Sequence, residues 1–292
     1  MTVKEKSAPA ARTAPPAPTY STLLVHVEPG LAASRRVEIA AGLARAFDAR
    51  LIGLGAEMIE PVTMVDPYSG QLIAEMYQQL SRQVAADLKN AEAAFRRDAA
   101  GADVEWRTVS STPVNAIART ARAADLIVMT ATEARGSDVY HAAPPADVVL
   151  AAGRPVLVAP AGAGHLQARK IVVAWKETRE ARRAVADAMP FLVRAEEVVV
   201  QAVCGEDEVE AVEACALDVA AWLRRHGAPA RANVTTAPDA SVADELNAEA
   251  EAIGADLIVA GAYGHSRTVE WALGGATWRL LQNPQRYLLL SH

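Results

Sequence analysis

The chain has 292 residues, 51% of them hydrophobic and 22% charged, which is enough for two ordinary domains and too much for one small module. Its 35 acidic side chains against 29 Lys plus Arg leave a formal charge of -6 and a pI near 5.6, the wrong sign for a protein that grips phosphate backbones, so nucleic acid is not expected as a partner. Two cysteines, Cys204 and Cys215, exclude a disulfide-stapled scaffold, and no apolar run reaches the roughly 18 to 20 residues of a membrane span or forms a signal-peptide core, so a soluble cytoplasmic protein is expected.

Residues 1–18 are Pro- and Ala-rich with no periodic apolar face, and read as a disordered tail. Beyond them, short β-branched and aliphatic runs alternate with longer stretches whose apolar residues recur three and four apart, the signature of βαβ units around a parallel sheet. Strands are predicted at 22–27, 51–56, 104–109, 126–130 and 156–159, then at 171–175, 198–203, 231–236, 257–261 and 287–290. Between the second and third strands, a long segment carries Met58, Met64, Tyr68, Met76 and Tyr77, a cluster that reads as a packed helical lid rather than a ligand cage. Ala184, Val185, Ala188, Met189 and Leu192 form one helical stripe, and Val242, Leu246 and Ile253 another. The acidic run Glu206, Asp207, Glu208, Glu210 and Glu213 suits the solvated start of a helix.

Internal repetition turns five strands and then five strands into a domain plan. ADLIVMTA, ending at Ala131, matches ADLIVAGA, ending at Ala262, and the same offset of 131 residues carries GRPVLVAP onto PQRYLLLSH. TLLVHVEP pairs with KIVVAWKE at an offset of 148, so the first copy holds about 17 more residues within 61–101. The predicted fold is therefore α/β, two tandem copies of a Rossmann-like, five-stranded parallel-sheet domain. The expected bounds are 19–161 and 169–292, joined by a linker at 162–168. The closing strands VLVAP and YLLLSH are short and apolar, and the two copies can satisfy each other's edge within one chain.

In such sheets, ligands bind beyond the carboxyl ends of the strands, where the strand order reverses. Directly after the strand 257–261 the sequence reads GAYGHSRTVEWALGGAT, with Gly261, Gly264 and Gly274 spaced G-x2-G-x9-G. Chance would supply about 0.06 such triples from 17 glycines, so the spacing carries information beside its position after a strand. Glycines allow close backbone approach, and loop and helix N–H groups can face an anion. The following helix is expected to start near Gly275, Ala276 and Thr277 and stop at Asn283-Pro284, with the Thr277 hydroxyl free to meet a phosphate or to cap its own helix. His265 and Ser266, inside the loop, read equally as ligand contacts and as solvated side chains.

With these residues in place, the second half resembles a universal stress protein domain, a branch of the adenine-nucleotide α-hydrolase-like folds. That family's phosphate motif has the form G-x2-G-x9-G-[ST], and Gly261, Gly264 and Gly274 match its glycines, while Gly275 stands where ATP-binding members have Ser or Thr. The resemblance implies an adenosine pocket at the ends of the first two strands. Trp175 and Lys176 stand there, with Lys176 in place of the family's Asp, and the backbone at Ala202 and Val203 matches the place that meets adenine. In the first half, Thr130, Glu133, Ala143 and Pro144 occupy the four glycine positions, so its phosphate loop is gone and Glu28, at the Asp position, reads as a remnant. Other chemistry is absent from the pattern: the six histidines never take metal-ligand spacings, and there is no G-x-S-x-G elbow, P-loop, H-x-G-H or S-G-G-x-D-S.

The resemblance implies a non-enzymatic stress-response protein that binds ATP, or ADP or AMP, in its second domain only, with Mg²⁺ only alongside ATP. The alternatives are an interaction module without nucleotide, and an ATP-hydrolysing enzyme for which only Glu177 and Glu270 lie near the loop. Expected partners are an adenine nucleotide and unnamed proteins, with no membrane, and the two copies form an intramolecular pseudo-dimer open to further homodimerisation.

Overall fold

The computed structural model describes residues 17–28, 32–59, 70–131, 142–238, 241–262 and 275–292. The first half comprises β1 (Thr22–His26), α1 (Ala32–Phe47), β2 (Arg50–Ala56), α2 (Gly70–Asp98), β3 (Asp103–Val109), α3 (Pro113–Thr120), β4 (Leu126–Thr130), α4 (Pro145–Ala152) and β5 (Val156–Ala159). The second comprises β6 (Lys170–Trp175), α5 (Arg179–Leu192), β7 (Glu197–Cys204), α6 (Val209–Arg225), β8 (Ala230–Thr236), α7 (Val242–Ile253), β9 (Leu257–Gly261), α8 (Gly275–Gln282) and β10 (Tyr287–Ser291). Every strand falls within one residue of its sequence expectation. The expected tail, apart from Ala17 and Pro18, lies outside the described residues.

The strands form one ten-stranded sheet in the order β3-β2-β1-β4-β5-β10-β9-β6-β7-β8. Neighbours within each half are parallel, and the halves meet where β5 and β10 pair antiparallel, Leu157 opposite Leu289. Strands such as LIVMT are apolar on both sides because helices cover both sides: Leu126 and Val128 join the core under α1, α2, α5 and α6, while Ile127 and Met129 join the core under α3, α4, α7 and α8. Because the central pair is antiparallel, the carboxyl ends of the first half's strands lie at one edge of the sheet and those of the second half at the opposite edge.

Contacts across the joint lock the halves together. Tyr20, Phe47 and Phe191 stack edge-on, with ring centroids 5.0 to 5.5 Å apart. The Tyr20 hydroxyl donates to the Asp187 carbonyl at 2.6 Å, and Arg194 lies 4.2 Å over the Phe47 ring while donating to the Ala46 carbonyl at 2.9 Å. Asp125 accepts from the backbone N–H groups of Ser21 and Thr22, and Asp256, its repeat counterpart, accepts from those of Gln167 and Ala168. The connection between the halves is held by its own bonds, with the Tyr287 hydroxyl donating to the Gly164 carbonyl at 2.5 Å.

The extra length of the first half lies partly in α2, a 29-residue helix where its counterpart α6 has 17. The C-terminal part of α2 packs on the sheet only because β2 is bare there: a Cβ on Gly53 would lie 2.7 Å from the Phe95 ring, and one on Gly55 would lie 2.7 Å from Leu88. The rest departs from the expected packed lid, since Ala91 and Phe95 are its buried residues and Leu72 and Leu80 are exposed. Met58, Met76 and Tyr77 are half-buried, and Met64 and Tyr68 lie outside the described residues.

Leu289 is fully buried at the joint. Replacing it by Ala is expected to cost about 2–5 kcal/mol, shifting the urea transitions seen by far-UV circular dichroism and by tryptophan fluorescence together.

Candidate functional site

Strand order reverses between β1 and β4 in the first half and between β6 and β9 in the second, so two equivalent candidate sites exist, at opposite edges of the sheet. They are built from opposite chemistry.

At the first, Arg36 of α1 is buried and turned onto the end of β1. Its Nη1 and Nη2 donate to Glu28 Oε2 and Oε1 at 2.8 and 2.6 Å, Nη1 also reaches the His26 carbonyl at 2.9 Å, and Nε donates to Thr130 Oγ1 at 3.2 Å. Planar, bidentate pairing is what a guanidinium offers a carboxylate. Burial alone would raise the Glu28 carboxyl, but the charge and hydrogen bonds of Arg36, helped by His26, hold it below the usual range. Glu28 is therefore no remnant: both its oxygens are consumed. His26 Nδ1 lies 3.6 Å from Glu28, its Nε2 has no hydrogen-bond partner, and burial, with Arg36 adding to it, pushes its pKa down to about 4 against the pull of Glu28. This cluster fills the first switch point. Ala143 and Pro144 precede α4 and are half-buried, and Glu133 lies outside the described residues.

The second site replaces each member. At the repeat offsets, Ala174 stands for His26, Lys176 for Glu28, Ala184 for Arg36 and Gly261 for Thr130. A Cβ on Gly261 would lie 2.5 Å from the Ala181 nitrogen and 2.6 Å from the Glu180 carbonyl carbon, so here the missing side chain admits the backbone of α5 rather than a ligand. Thr178 caps α5, its hydroxyl accepting from the Ala181 N–H at 3.2 Å. Beside that cap Glu180 is buried; burial pushes its carboxyl up, but Arg179, its own N–H and the Thr178 hydroxyl together hold it low.

The remaining residues singled out in the sequence divide as follows. Thr277 is buried and donates to the Gly261 carbonyl at 3.1 Å, tying the first turn of α8 to the end of β9 instead of presenting its hydroxyl outward. Gly275, the first residue of α8, is exposed with open space where a Cβ would stand, and Ala276 is half-buried. Lys176 is exposed directly after β6, and Glu177 beside it pairs with Arg182. Trp175 is buried on the α5 side of the sheet, with Nε1 lacking a partner, and Val203 is half-buried near the end of β7. Gly264, His265, Gly274 and Glu270 lie outside the described residues. Gly261, Gly275, Thr277, Trp175 and Lys176 thus converge on one edge, with Val203 one strand further out. Among the described residues no group of acidic, His or Cys side chains is placed to hold a metal, and no helix is long and apolar enough to cross a membrane.

Sequence reasoning missed Arg36. The signal was available, because Arg36 falls within the apolar stripe of Ala33, Val37, Ala40 and Ala44, eight residues after Glu28.

Fold and topology define a tandem α/β protein with two unequal switch points. Residues 19–160 match the model of the Universal stress protein family, and that half of the chain belongs to the family. The matched half is the one whose switch point Arg36 fills, and it does not include the glycine loop. Among solved structures, the chain is similar to a universal stress protein from Archaeoglobus fulgidus DSM 4304 (14% identity, 92% of this chain and 95% of that one, TM-score 0.61). It is also similar to a protein of unknown function from Pseudomonas aeruginosa PAO1 (15% identity, 93% and 92%, TM-score 0.54). Both likenesses concern the fold. No curated protein matches the chain by sequence.

Two outcomes follow from the first-half cluster. Replacing Arg36 by Met leaves the half-buried Glu28 carboxylate without its counter-charge and is expected to cost about 1–3 kcal/mol of unfolding free energy. Because His26 holds a folded-state value below its unfolded one, neutral His26 favours the folded chain. As the pH falls from about 6.5 towards 4, the unfolded chain takes up a proton that the folded chain refuses, and about 3 kcal/mol is lost. The depressed Glu28 adds a further loss only below its ordinary value of 4.5. Unfolding free energy against pH should show both components, and His26→Leu should remove the first.

Proposed function

We propose that this is a non-enzymatic universal stress protein of two domains, 19–161 and 169–292 joined by a linker at 162–168, which senses an adenine nucleotide, ATP or else ADP or AMP, through the second domain alone. One observation carries the reading: the switch point plugged by Arg36, Glu28, His26 and Thr130 in the first half is lined by Ala174, Lys176, Ala184 and Gly261 in the second. With Gly261 packed against the start of α5, what the second switch point presents at the carboxyl edge is the exposed Lys176. Lys176 makes no ion pair with the described residues, so its charge remains available to a phosphate in a chain whose overall charge is negative. Gly264 and Gly274 complete the glycine spacing from sequence, and Gly275 at the start of α8 adds an exposed helix N-terminus.

The first turn of α8 is fixed to β9 by Thr277, so binding does not have to order it. The backbone near Val203 is the expected neighbour of the base, with Trp175 and His265 the remaining expected contacts, and Mg²⁺ enters only with ATP. Signalling needs no catalysis, because binding that distinguishes two states shifts their populations. Of the two candidate carboxylates, Glu177 and Glu270, Glu177 is engaged by Arg182, which speaks against its use as a general base. A cytoplasmic setting and a role in stress tolerance belong to the same reading.

Thermal unfolding with ATP, ADP, AMP and no nucleotide tests it. Ligand at 100 times its dissociation constant should stabilise the chain by about 2.7 kcal/mol, Lys176→Glu should reduce the shift, and Gly275→Ser, entering open space, should keep the fold and preserve or enlarge it. No shift at saturating nucleotide would contradict the proposal and leave the tandem an interaction module.

A further inference from the structure

The second switch point is bordered by a residue of the first half. Because β5 and β10 run antiparallel, with Leu290 opposite Val156, the start of β5 lies at the edge where β6, β9 and β10 end. Arg154, two residues before Val156, therefore stands beside the end of β10. The turn that carries it is fixed. Gly153 ends α4 in the left-handed region at φ 60°, and its carbonyl accepts from Arg183 Nη2 of α5 at 3.1 Å. Pro155 is buried and holds the residue before it in extended backbone.

Arg154 is exposed and makes no hydrogen bond or ion pair with the described residues, and the same is true of the Lys176 side chain at the end of β6. The cations of α5 nearby are engaged: Arg179 pairs with Glu180, Arg182 with Glu177 and Arg183 with Asp187. Two cations without a counter-charge among the described residues thus flank the ends of β9 and β10, three strand spacings or about 14 Å apart. By strand alternation Lys176 shares a face with Ala174 and Arg154 with Val156, and both faces belong to the core under α8. That helix begins between them, with Gly275 exposed at its first residue. At the first edge the equivalent positions hold Glu28, which Arg36 engages, and Gln285, so no such cation pair stands there.

A single phosphate cannot touch two cations at that separation, whereas an extended chain of phosphates starting at one can be met by the other. A guanidinium suits the far end, because its planar donors pair with two oxygens of a terminal phosphate. Resting on the nucleotide reading above, we propose that Arg154 completes the second-half site by meeting the terminal phosphate of a nucleoside triphosphate whose phosphate chain begins at Lys176. The site selects triphosphate over monophosphate, and it is built on the second half but finished by the first.

Isothermal titration of the full chain with ATP and with AMP tests it. The wild type should bind ATP about tenfold or more tightly than AMP, the contribution of one charge-assisted contact. Arg154→Gln should weaken ATP by the same factor and leave AMP affinity, circular dichroism and nucleotide-free thermal unfolding unchanged. Lys176→Gln should weaken both ligands. Wild-type affinity for ATP in Arg154→Gln, an equal loss of ATP and AMP binding in that variant, or a wild type that binds the two nucleotides alike would overturn this assignment and leave the nucleotide reading standing. A wild type that binds neither would overturn both.

Discussion

The three residue pairs between β5 and β10 are the interaction on which the rest of the molecule depends. Each half alone would end in an apolar strand with an open edge, an invitation to unwanted pairing. Joined antiparallel, the two edges satisfy each other and the outer strands become β3 and β8. At β3, Asp103 and Glu105 pair with Arg50 of β2 and Glu105 also pairs with Arg107, a charged dressing that suits an exposed edge. The antiparallel sense of the joint also sends the two carboxyl edges in opposite directions, so one compact ligand cannot touch both switch points. The tandem therefore acts as a fixed pseudo-dimer whose two sites were free to diverge.

They diverged by exchanging side chains at positions the fold keeps equivalent. The first half spends an Arg, a Glu, a His and a Thr on closing its switch point, satisfying the buried Arg36 with a half-buried counter-charge at the cost of stranding His26 Nε2. The second half has Lys176 where the first has Glu28, which reverses the sign of charge at the same point of the sheet. Overall charge is -6, so any anion at that edge must be held by local features, the lysine and backbone N–H groups, and not by a basic surface.

Much of this was legible before any coordinates. The short aliphatic runs, the helical stripes and the 131-residue repeat of ADLIV located every strand to within a residue, because parallel strands buried on both faces leave a strong apolar signal. What the sequence hid were contacts made at a distance. Arg36 falls in an apolar stripe, but its partners show only once Glu28 and Thr130 are brought beside it. Gly261 reads as a ligand-facing glycine, yet its bare Cα admits the start of α5, and Thr277 spends its hydroxyl on the carbonyl of Gly261. The Met- and Tyr-containing segment suggested a packed lid because apolar periodicity says a helix has a face without saying what meets it. Only the bare glycines of β2 show that the face is buried from Leu88 onward and projects before it.

Two equivalent positions differ, one plugged by Arg36 and one where an exposed Lys176 stands at the end of its strand. Counting bound nucleotides tests that most directly. Isothermal titration calorimetry of the full chain with ATP should give one site per chain. Two sites would mean that the Arg36 cluster does not close the first half, and none would mean that the Lys176 edge of the second half is not a nucleotide site.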